Sequence, residues 1–315
     1  MNAWRFIGGR LAVMVPTLFF VSVMVFALQR LLPGDPITAM LAEDYDAEAA
    51  ETLKRRYHLD KPIHEQYVLW AAGLMRGDFG ISIRNNLEVA ELILARIPVT
   101  LELAILSLAF AFIIGIPAGI LSAVKKDTPT DVVANVVALS GISVPNFWLG
   151  IMMILLFAVH LQILPASGYV PFLEDPIANL KSMIMPAFVL GTGGAGLIMR
   201  HMRGAMLETL LQDYVRTARA KGCSERVVVL KHALRNALVP VITLGALEFG
   251  HLLSGAVLTE QIFTIPGFGK LIVEGVFSRD YTVVQSVVLV VALIYISLNL
   301  VADILYFVVN PRLRG

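Results

Sequence analysis

Residues 213–240 read DYVRTARAKGCSERVVVLKHALRNALVP, a basic stretch inside a chain that is otherwise rich in apolar residues suited to a lipid bilayer. Eight of the chain's 25 Lys and Arg residues lie between Arg200 and Arg235. Gly222 is suited to end a first helix, because glycine adopts the left-handed conformation without strain. That helix is predicted from apolar residues at helical spacing, namely Leu207, Leu210, Leu211, Tyr214, Val215 and Ala218.

A second helix is predicted directly after the glycine. Ser224 stands where an N-cap is needed, and Glu225 falls in the first turn, where the helix dipole favours an acid. An apolar stripe continues through Val227, Leu230, Leu234 and Ala237. The stretch is too charged for a bilayer and too regular for a slack loop, so we expect a helix–glycine–helix that docks a soluble partner.

The composition indicates an integral membrane protein. Hydrophobic residues make up 57% of the 315 residues and charged residues 16%, against about a quarter charged in soluble domains. The mean hydropathy is +0.76. Cys223 is the only cysteine, which excludes an intrachain disulfide.

Uncharged intervals predict an all-α, polytopic fold with six transmembrane helices, because about 20 apolar residues cross the hydrocarbon core. The interval Val132–Leu173 is too long for one span and should leave the membrane near Pro165 and Gly168. The other five predicted spans are Leu11–Gln29, Leu103–Val124, Ser182–Met199, Asn236–Thr259 and Tyr281–Ala302.

The distribution of basic residues predicts that both termini lie in the cytoplasm. With that orientation, 14 Lys and Arg residues fall in the cytoplasmic pieces and three in the short external loops. A cleaved signal peptide is the alternative for the first span. No Ala-x-Ala-like site follows that span, which favours a retained anchor.

The predicted organisation has three parts: residues 1–30 with the first span, an external insert at 31–97, and a five-helix membrane core at 98–315. The core carries a cytoplasmic coupling loop at 203–238. Two helices are predicted in the insert, at Ala47–Tyr57 and Pro62–Met75, followed by a turn at Gly77–Gly80. The insert is expected to cap the outer mouth of a pore, to contact a substrate-binding protein, or both.

Three polar residues inside the predicted spans are candidates for a translocation path. Glu248 and His251 lie three residues apart in the fifth span, and ionisable groups in a membrane tend to face a cavity or one another. Lining of the path, internal packing and ion coupling all remain open for this pair. Two ligands on one helix are too few for a metal site. Asn146 follows Pro145 and predicts a kink whose freed backbone groups a polar side chain can satisfy.

Gly191, Gly193 and Gly196 match the G-x-G-x-x-G pattern of dinucleotide-binding folds. That function needs a strand before the glycines and a helix after them. These glycines instead lie inside an apolar interval, which favours close helix–helix packing.

The sequence contains no Walker A pattern. Lys270 follows Gly269, but Thr264 occupies the place of the first glycine and Leu271 that of the Ser or Thr. We therefore expect the chain to carry no cofactor and no catalytic residues, and to take its energy from another subunit or an ion gradient.

The basic stretch resembles the EAA loop of ABC-importer permeases, in the form seen in the dipeptide, oligopeptide and nickel permease family. Arg216 departs from the wider pattern, since it stands where an acidic residue begins the motif. The matching residues in the loop are Tyr214–Gly222, His232–Ala237 and Pro240. Elsewhere they are Leu32–Pro36, Ser143–Gly150, Leu164–Tyr169, Pro266–Gly269 and Arg279–Tyr281.

The resemblance implies a permease subunit that moves peptides across a bacterial inner membrane. Its implied partners are separate ATP-binding subunits, a second related permease, an external substrate-binding protein and membrane lipid, with no nucleic acid. The implied ATPase-coupling residues are Tyr214, Arg216, Thr217, Ala218, Lys221, Gly222, Ser224, His232, Arg235 and Asn236.

Three other functions remain open from the sequence. Nickel or another small solute is an alternative cargo within the same family. A self-sufficient secondary transporter would be expected to show internal repeats, broken helices and paired intramembrane charges. A membrane-embedded enzyme lacks candidate residues.

Overall fold

The computed structural model describes residues 3–31, 37 and 47–309, and every regular element in these ranges is helical. The α-helices are α1 (Ala3–Leu31), α2 (Ala47–Arg56), α3 (Ile63–Met75), α4 (Val89–Val124), α5 (Pro129–Ser143), α6 (Asn146–Met153), α7 (Pro176–Leu210), α8 (Asp213–Ala220), α9 (Glu225–Val227), α10 (Leu234–Gly255), α11 (Val257–Ile262), α12 (Phe268–Phe277) and α13 (Tyr281–Val309). Two π-helices, Ile154–His160 and Val228–Ala233, continue α6 and α9.

The six predicted spans correspond to five single helical segments and one bent pair. The single segments are long and apolar enough to cross a membrane, at Gly8–Arg30, Val89–Val124, Pro176–Leu210, Glu225–Leu253 and Tyr281–Val301. The bent pair consists of Pro129–Ser143 and Asn146–His160, at 99° to each other. The all-α, polytopic fold is therefore confirmed.

Two spans extend well beyond their predicted ends. Helix α4 has 36 residues and begins at Val89, whereas the sequence predicted a span from Leu103 after an insert that reached Ile97. At 1.5 Å per residue α4 is about 54 Å long, against about 30 Å of hydrocarbon. Charged residues such as Arg96 and Glu102 end the uncharged interval but do not end the helix. Helix α7 likewise runs over 35 residues where Ser182–Met199 was predicted.

The break in the third span lies directly before Asn146. Val144 is extended, at φ −74° and ψ 126°, because the following Pro145 disfavours the helical conformation at this position. The predicted kink is thus present, and the two helices meet at nearly a right angle, 99°.

Among the described residues, one compact unit comprises 101–265, 297–309 and residue 3. Its centre is α7, which packs against α5 and α10. A Cβ built on Gly191 would lie 2.5 Å from the carbonyl oxygen of Ser107, and one on Gly196 would lie 2.5 Å from that of Ala138. The glycines of the G-x-G-x-x-G pattern therefore serve helix packing, as predicted.

The second compact unit comprises residues 4–100 and 266–296. The predicted insert helices are present as α2 and α3, and they join the first span and the start of α13 in this unit. Tyr67 and Trp70 of α3 pack on Phe26 of α1, with ring centroids 5.4 and 5.8 Å apart. The predicted boundaries of three parts, at 1–30, 31–97 and 98–315, stay a prediction.

Candidate functional site

The helix–glycine–helix of residues 213–238 is built around a Schellman motif. Helix α8 ends at Ala220, and Gly222 has φ +80°. The N–H of Gly222 donates to the carbonyl of Arg219 at 2.9 Å, and the N–H of Cys223 donates to that of Ala218 at 3.2 Å. Cys223 also packs against the buried cluster of Val215, Ala218 and Val228. The predicted left-handed glycine cap is therefore present.

The apolar face before the glycine is interrupted. Helix α7 stops at Leu210, and a new helix begins at Asp213. Leu210 packs against Val215 and Ala218, whereas Leu211 is 69% exposed. The prediction of one continuous face was wrong at Leu211 and at Tyr214, which is 41% exposed, because the chain breaks between the two helices.

The apolar stripe after the glycine is shifted by the π-helix Val228–Ala233. The buried residues are Val228, Val229, Ala233, Ala237 and Val241. Of the predicted stripe, Val227 and Leu230 are exposed and Ala237 is buried. A π-helix bonds residue i to i+5, so it takes up one extra residue and moves the buried face off the 3.6-residue pattern. Ser224 occupies the predicted N-cap position but makes no side-chain cap hydrogen bond.

Two polar contacts connect the two halves of the loop. Arg219 donates to Glu225 across the glycine turn, with Nε 2.8 Å from Oε1. Asn236 Nδ2 donates to the hydroxyl oxygen of Tyr214 at 2.7 Å. The second bond ties α8 to the base of α10.

Most of the predicted coupling residues are on the surface of this loop. Ala218 is buried under the turn and His232 is half-buried. Thr217 Oγ1 donates to the carbonyl of Asp213 at 2.9 Å, which secures α8 internally. The others are exposed, namely Tyr214, Arg216, Thr217, Lys221, Gly222, Ser224, Arg235 and Asn236.

A buried ion pair that sequence reasoning missed lies close to this loop along the chain. Asp131 of α5 accepts two hydrogen bonds from Arg203 of α7, at 2.8 and 2.7 Å. Ser122 and Asn135 also donate to this carboxylate, and the side chain of Asp131 is 6% exposed. The partners are 72 residues apart, and no local pattern in the sequence indicates their pairing. The pair fixes the start of α5 against the helix that leads into the coupling loop.

The three candidate path residues occupy different environments. Glu248 is half-buried in α10 and faces α7, since a Cβ on Gly194 would lie 3.8 Å from its Oε2. His251, one turn further on, is exposed, and Asn146 is half-buried at the break in the third span. The N-cap position of α6 is Pro145, which makes no side-chain cap hydrogen bond.

Two further acidic residues were missed, one fully buried (Glu260) and one half-buried (Glu102). Glu260 of α11 is fully buried, just beyond the predicted end of the fifth span at Thr259. Tyr169 donates to Glu102 at 2.8 Å. Burial and this hydrogen bond raise the pKa of Tyr169 well above its usual value, so its hydroxyl remains a donor.

Comparison with known proteins places the chain in a family. Residues 115–315 match the binding-protein-dependent transport system inner membrane component, and residues 3–104 match the N-terminal module of such membrane components. The dipeptide transport system permease protein DppB of Escherichia coli (strain K12) is 42% identical over 98% of both chains. The di/tripeptide transport system permease protein DppB of Pseudomonas aeruginosa (strain UCBPP-PA14) is 42% identical over 98% of both. The glutathione transport system permease protein GsiC of Escherichia coli O1:K1 is 41% identical over 98% of this chain and 99% of its own.

Two solved structures share the fold. The inward-facing MetNI methionine ABC transporter has a TM-score of 0.58 at 19% identity, over 70% of this chain and 96% of the other. An amino acid ABC transporter crystallised with histidines has a TM-score of 0.52 at 11% identity, over 69% of this chain and 93% of the other. Together with the helical spans, the family match over residues 115–315 shows that this chain belongs to the inner membrane components of binding-protein-dependent transport systems, the multi-pass permease subunits of ABC importers.

Proposed function

We propose that this chain is the permease subunit of an ABC importer for short peptides. The supporting observation is the identity of 42% with two peptide permeases along 98% of the chain. Their names give dipeptides and di- or tripeptides as the substrates, and a third relative, at 41% identity, carries glutathione in its name. Short peptides are the class that these names share.

The permease would not hydrolyse ATP itself. It lacks a P-loop sequence, and the turn around Gly222 would instead dock into a separate ATP-binding subunit. A rigid Schellman turn is suited to this role because it transmits a displacement without deforming. The Asn236–Tyr214 hydrogen bond would pass the displacement of α8 on to α10.

The remaining partners follow from the same proposal. A second, related permease would complete the translocation path, and an external substrate-binding protein would deliver the peptide to the side that carries the 31–97 insert. Both termini and the coupling loop would lie in the cytoplasm. Glu248, half-buried on α10, would line the path together with Asn146 and His251.

Transport in reconstituted vesicles tests the proposal. The chain is assembled with its ATP-binding subunits, its second permease and its binding protein, and uptake of a labelled dipeptide and of Ni²⁺ is followed with ATP inside. We expect dipeptide uptake that requires both ATP and the binding protein. Uptake of Ni²⁺ alone would select the small-solute alternative, and uptake driven by an ion gradient without ATP would contradict an ABC importer.

Labelling of single cysteines tests the orientation. A cysteine at exposed Arg55 of α2 should react with an impermeant maleimide from outside, after Cys223 has been replaced by Ser. A cysteine at exposed Lys221 is the matched control and should react only after the membrane is opened. Reversal of the two would refute the proposed topology.

A further inference from the structure

The second compact unit contains a half-open cavity of about 360 Å³, lined by described residues of 26–83 and 281–285. Its wall is drawn from α1, the loop after α2, α3, the Gly77–Gly80 turn and the start of α13. The residues that matter for its chemistry are Arg30, Tyr57, Trp70, Arg76, Asp78 and Gln285.

Four of the wall's polar atoms are buried and have no hydrogen-bond partner within the described part of the chain. They are Arg30 Nε, the Tyr57 hydroxyl, Trp70 Nε1 and Gln285 Nε2. Each of the four can donate a hydrogen bond, and three of them can only donate. A buried donor without an acceptor costs free energy, so four donors around one cavity indicate a missing acceptor.

Arg30 is held in place by contacts that leave its Nε unused. Its Nη2 donates to Gln66 Oε1, and its guanidinium lies 5.2 Å from the ring centroids of both Phe26 and Tyr281. The guanidinium is therefore fixed by one hydrogen bond and two aromatic faces, with donors left for a ligand.

The charges around the cavity favour an anion. The wall carries two guanidinium groups, those of Arg30 and Arg76, and one carboxylate, that of Asp78. A second carboxylate, that of buried Asp280, lies near Tyr57, but it already accepts hydrogen bonds from Ser82 and from the N–H of Arg84. One oxygen of Asp78 already accepts the N–H of Gly80 at 2.8 Å. Burial raises the pKa of Tyr57, so its hydroxyl is protonated and able to donate at neutral pH.

The cavity also lies at a membrane boundary along the chain. Arg30 is the last residue of the first span, and Tyr281 is the first residue of the last span. Headgroups lie at the ends of such spans, where Tyr, Trp and Arg side chains meet phosphates.

We propose that this cavity binds an oxyanion, supplied by the phosphodiester of a phospholipid headgroup or by a small soluble phosphate. The guanidinium and the indole, hydroxyl and amide donors together suit the several acceptor oxygens of such a group. With a lipid headgroup bound, the site would anchor the 31–97 insert at the membrane boundary. With a soluble phosphate bound, it would be a ligand site of the insert.

Thermal unfolding of the full-length chain in complex with its partner subunits tests the site. The probes are short-chain phosphatidylglycerol, inorganic phosphate, and dioctanoylglycerol, which lacks phosphate. The informative variants are Tyr57→Phe and Gln285→Met, which remove one unpartnered donor each and keep the shape. Tyr67→Phe is the matched control, because its hydroxyl bonds to Ser22 at 2.9 Å and lies outside the cavity wall.

We expect phosphatidylglycerol or inorganic phosphate to stabilise the complex, and dioctanoylglycerol not to. Each informative variant should weaken the apparent affinity for the active probe about three- to tenfold, the usual effect of one hydrogen bond, and Tyr67→Phe should leave it unchanged. Stabilisation by the lipid alone assigns the headgroup, and stabilisation by inorganic phosphate assigns a soluble ligand.

Three results would overturn the proposal. The first is no stabilisation by either phosphate probe, and the second is equal stabilisation by dioctanoylglycerol. The third is a raised melting temperature of Tyr57→Phe that no probe alters. This result would mean that the hydroxyl faces no ligand, because removing an unsatisfied buried donor stabilises a protein.

Discussion

Gly222 offers a sharp test of the coupling loop, because its substitution separates backbone strain from steric contact. The residue has φ +80°, and a Cβ built there would meet nothing within 4 Å. The cost of Gly222→Ala is therefore conformational alone, roughly 1–2 kcal/mol for an L-residue in the left-handed region. The loss of unfolded-state freedom offsets about half of this, which leaves about 1 kcal/mol, or roughly a fivefold change in an equilibrium constant.

The substitutions should rank by how well each residue tolerates the left-handed region. Gly222→Asn should have the smallest effect, because asparagine visits this region routinely. Gly222→Ala should weaken ATPase docking about fivefold, and Gly222→Val should do so more strongly, since a β-branched residue at positive φ is an outlier.

Affinity for the ATP-binding subunit and ATP-driven uptake in vesicles are the measurements. Gly204→Ala is the matched control: Gly204 is exposed in α7, and a Cβ there also meets nothing within 4 Å. Its backbone is helical, so alanine should be neutral or stabilising. Binding of the external binding protein should survive in every variant.

The reasoning would be refuted if Gly222→Ala matched the native protein in both assays, or if Gly222→Asn were as damaging as Gly222→Val. The first result would mean that the turn does not set the docking geometry. The second would mean that the damage comes from side-chain contact with the partner and not from the backbone.

Three further predictions concern the membrane part. Asp131→Asn should lower the melting temperature, because it removes the charge that accepts two hydrogen bonds from Arg203; a melting curve checks this, and adding Arg203→Met should restore part of the loss. Gly196→Val should lower the melting temperature sharply, because even a Cβ at this position would lie 2.5 Å from a carbonyl oxygen. Gly193→Ala is the control and should be tolerated, because the nearest atom to its Cβ lies 4.0 Å away. Glu248→Gln should change peptide uptake without changing membrane insertion, and unaltered uptake at normal expression would favour a packing role.

The features that could be predicted from sequence are those that a short segment determines by itself. The helix–glycine–helix is one, because the left-handed turn depends on the missing Cβ of Gly222 and on the capping positions around it. The insert helices α2 and α3 and the break before Asn146 are others, since the local pattern or the following proline determines each of them.

Features that depend on distant parts of the chain could not be predicted. The pairing of Asp131 with Arg203 joins residues 72 apart, and neither segment indicates the other. The burial of Glu260 could not be predicted for the same reason, because the packing of other helices decides whether an acidic residue near the end of a span reaches water.

The sequence by itself determined the membrane class, the location of the apolar helices and the glycine turn after α8, because apolar length, charge and glycine chemistry act locally along the chain. Tertiary structure decided how far α4 and α7 continue past the lipid, and which residues of 228–241 are buried, since one π-helix moves the whole face. It also decided that Arg30, Trp70 and Gln285 surround one cavity. These outcomes depend on contacts between segments that are distant in sequence. Such contacts contribute to the free energy only after the helices have packed.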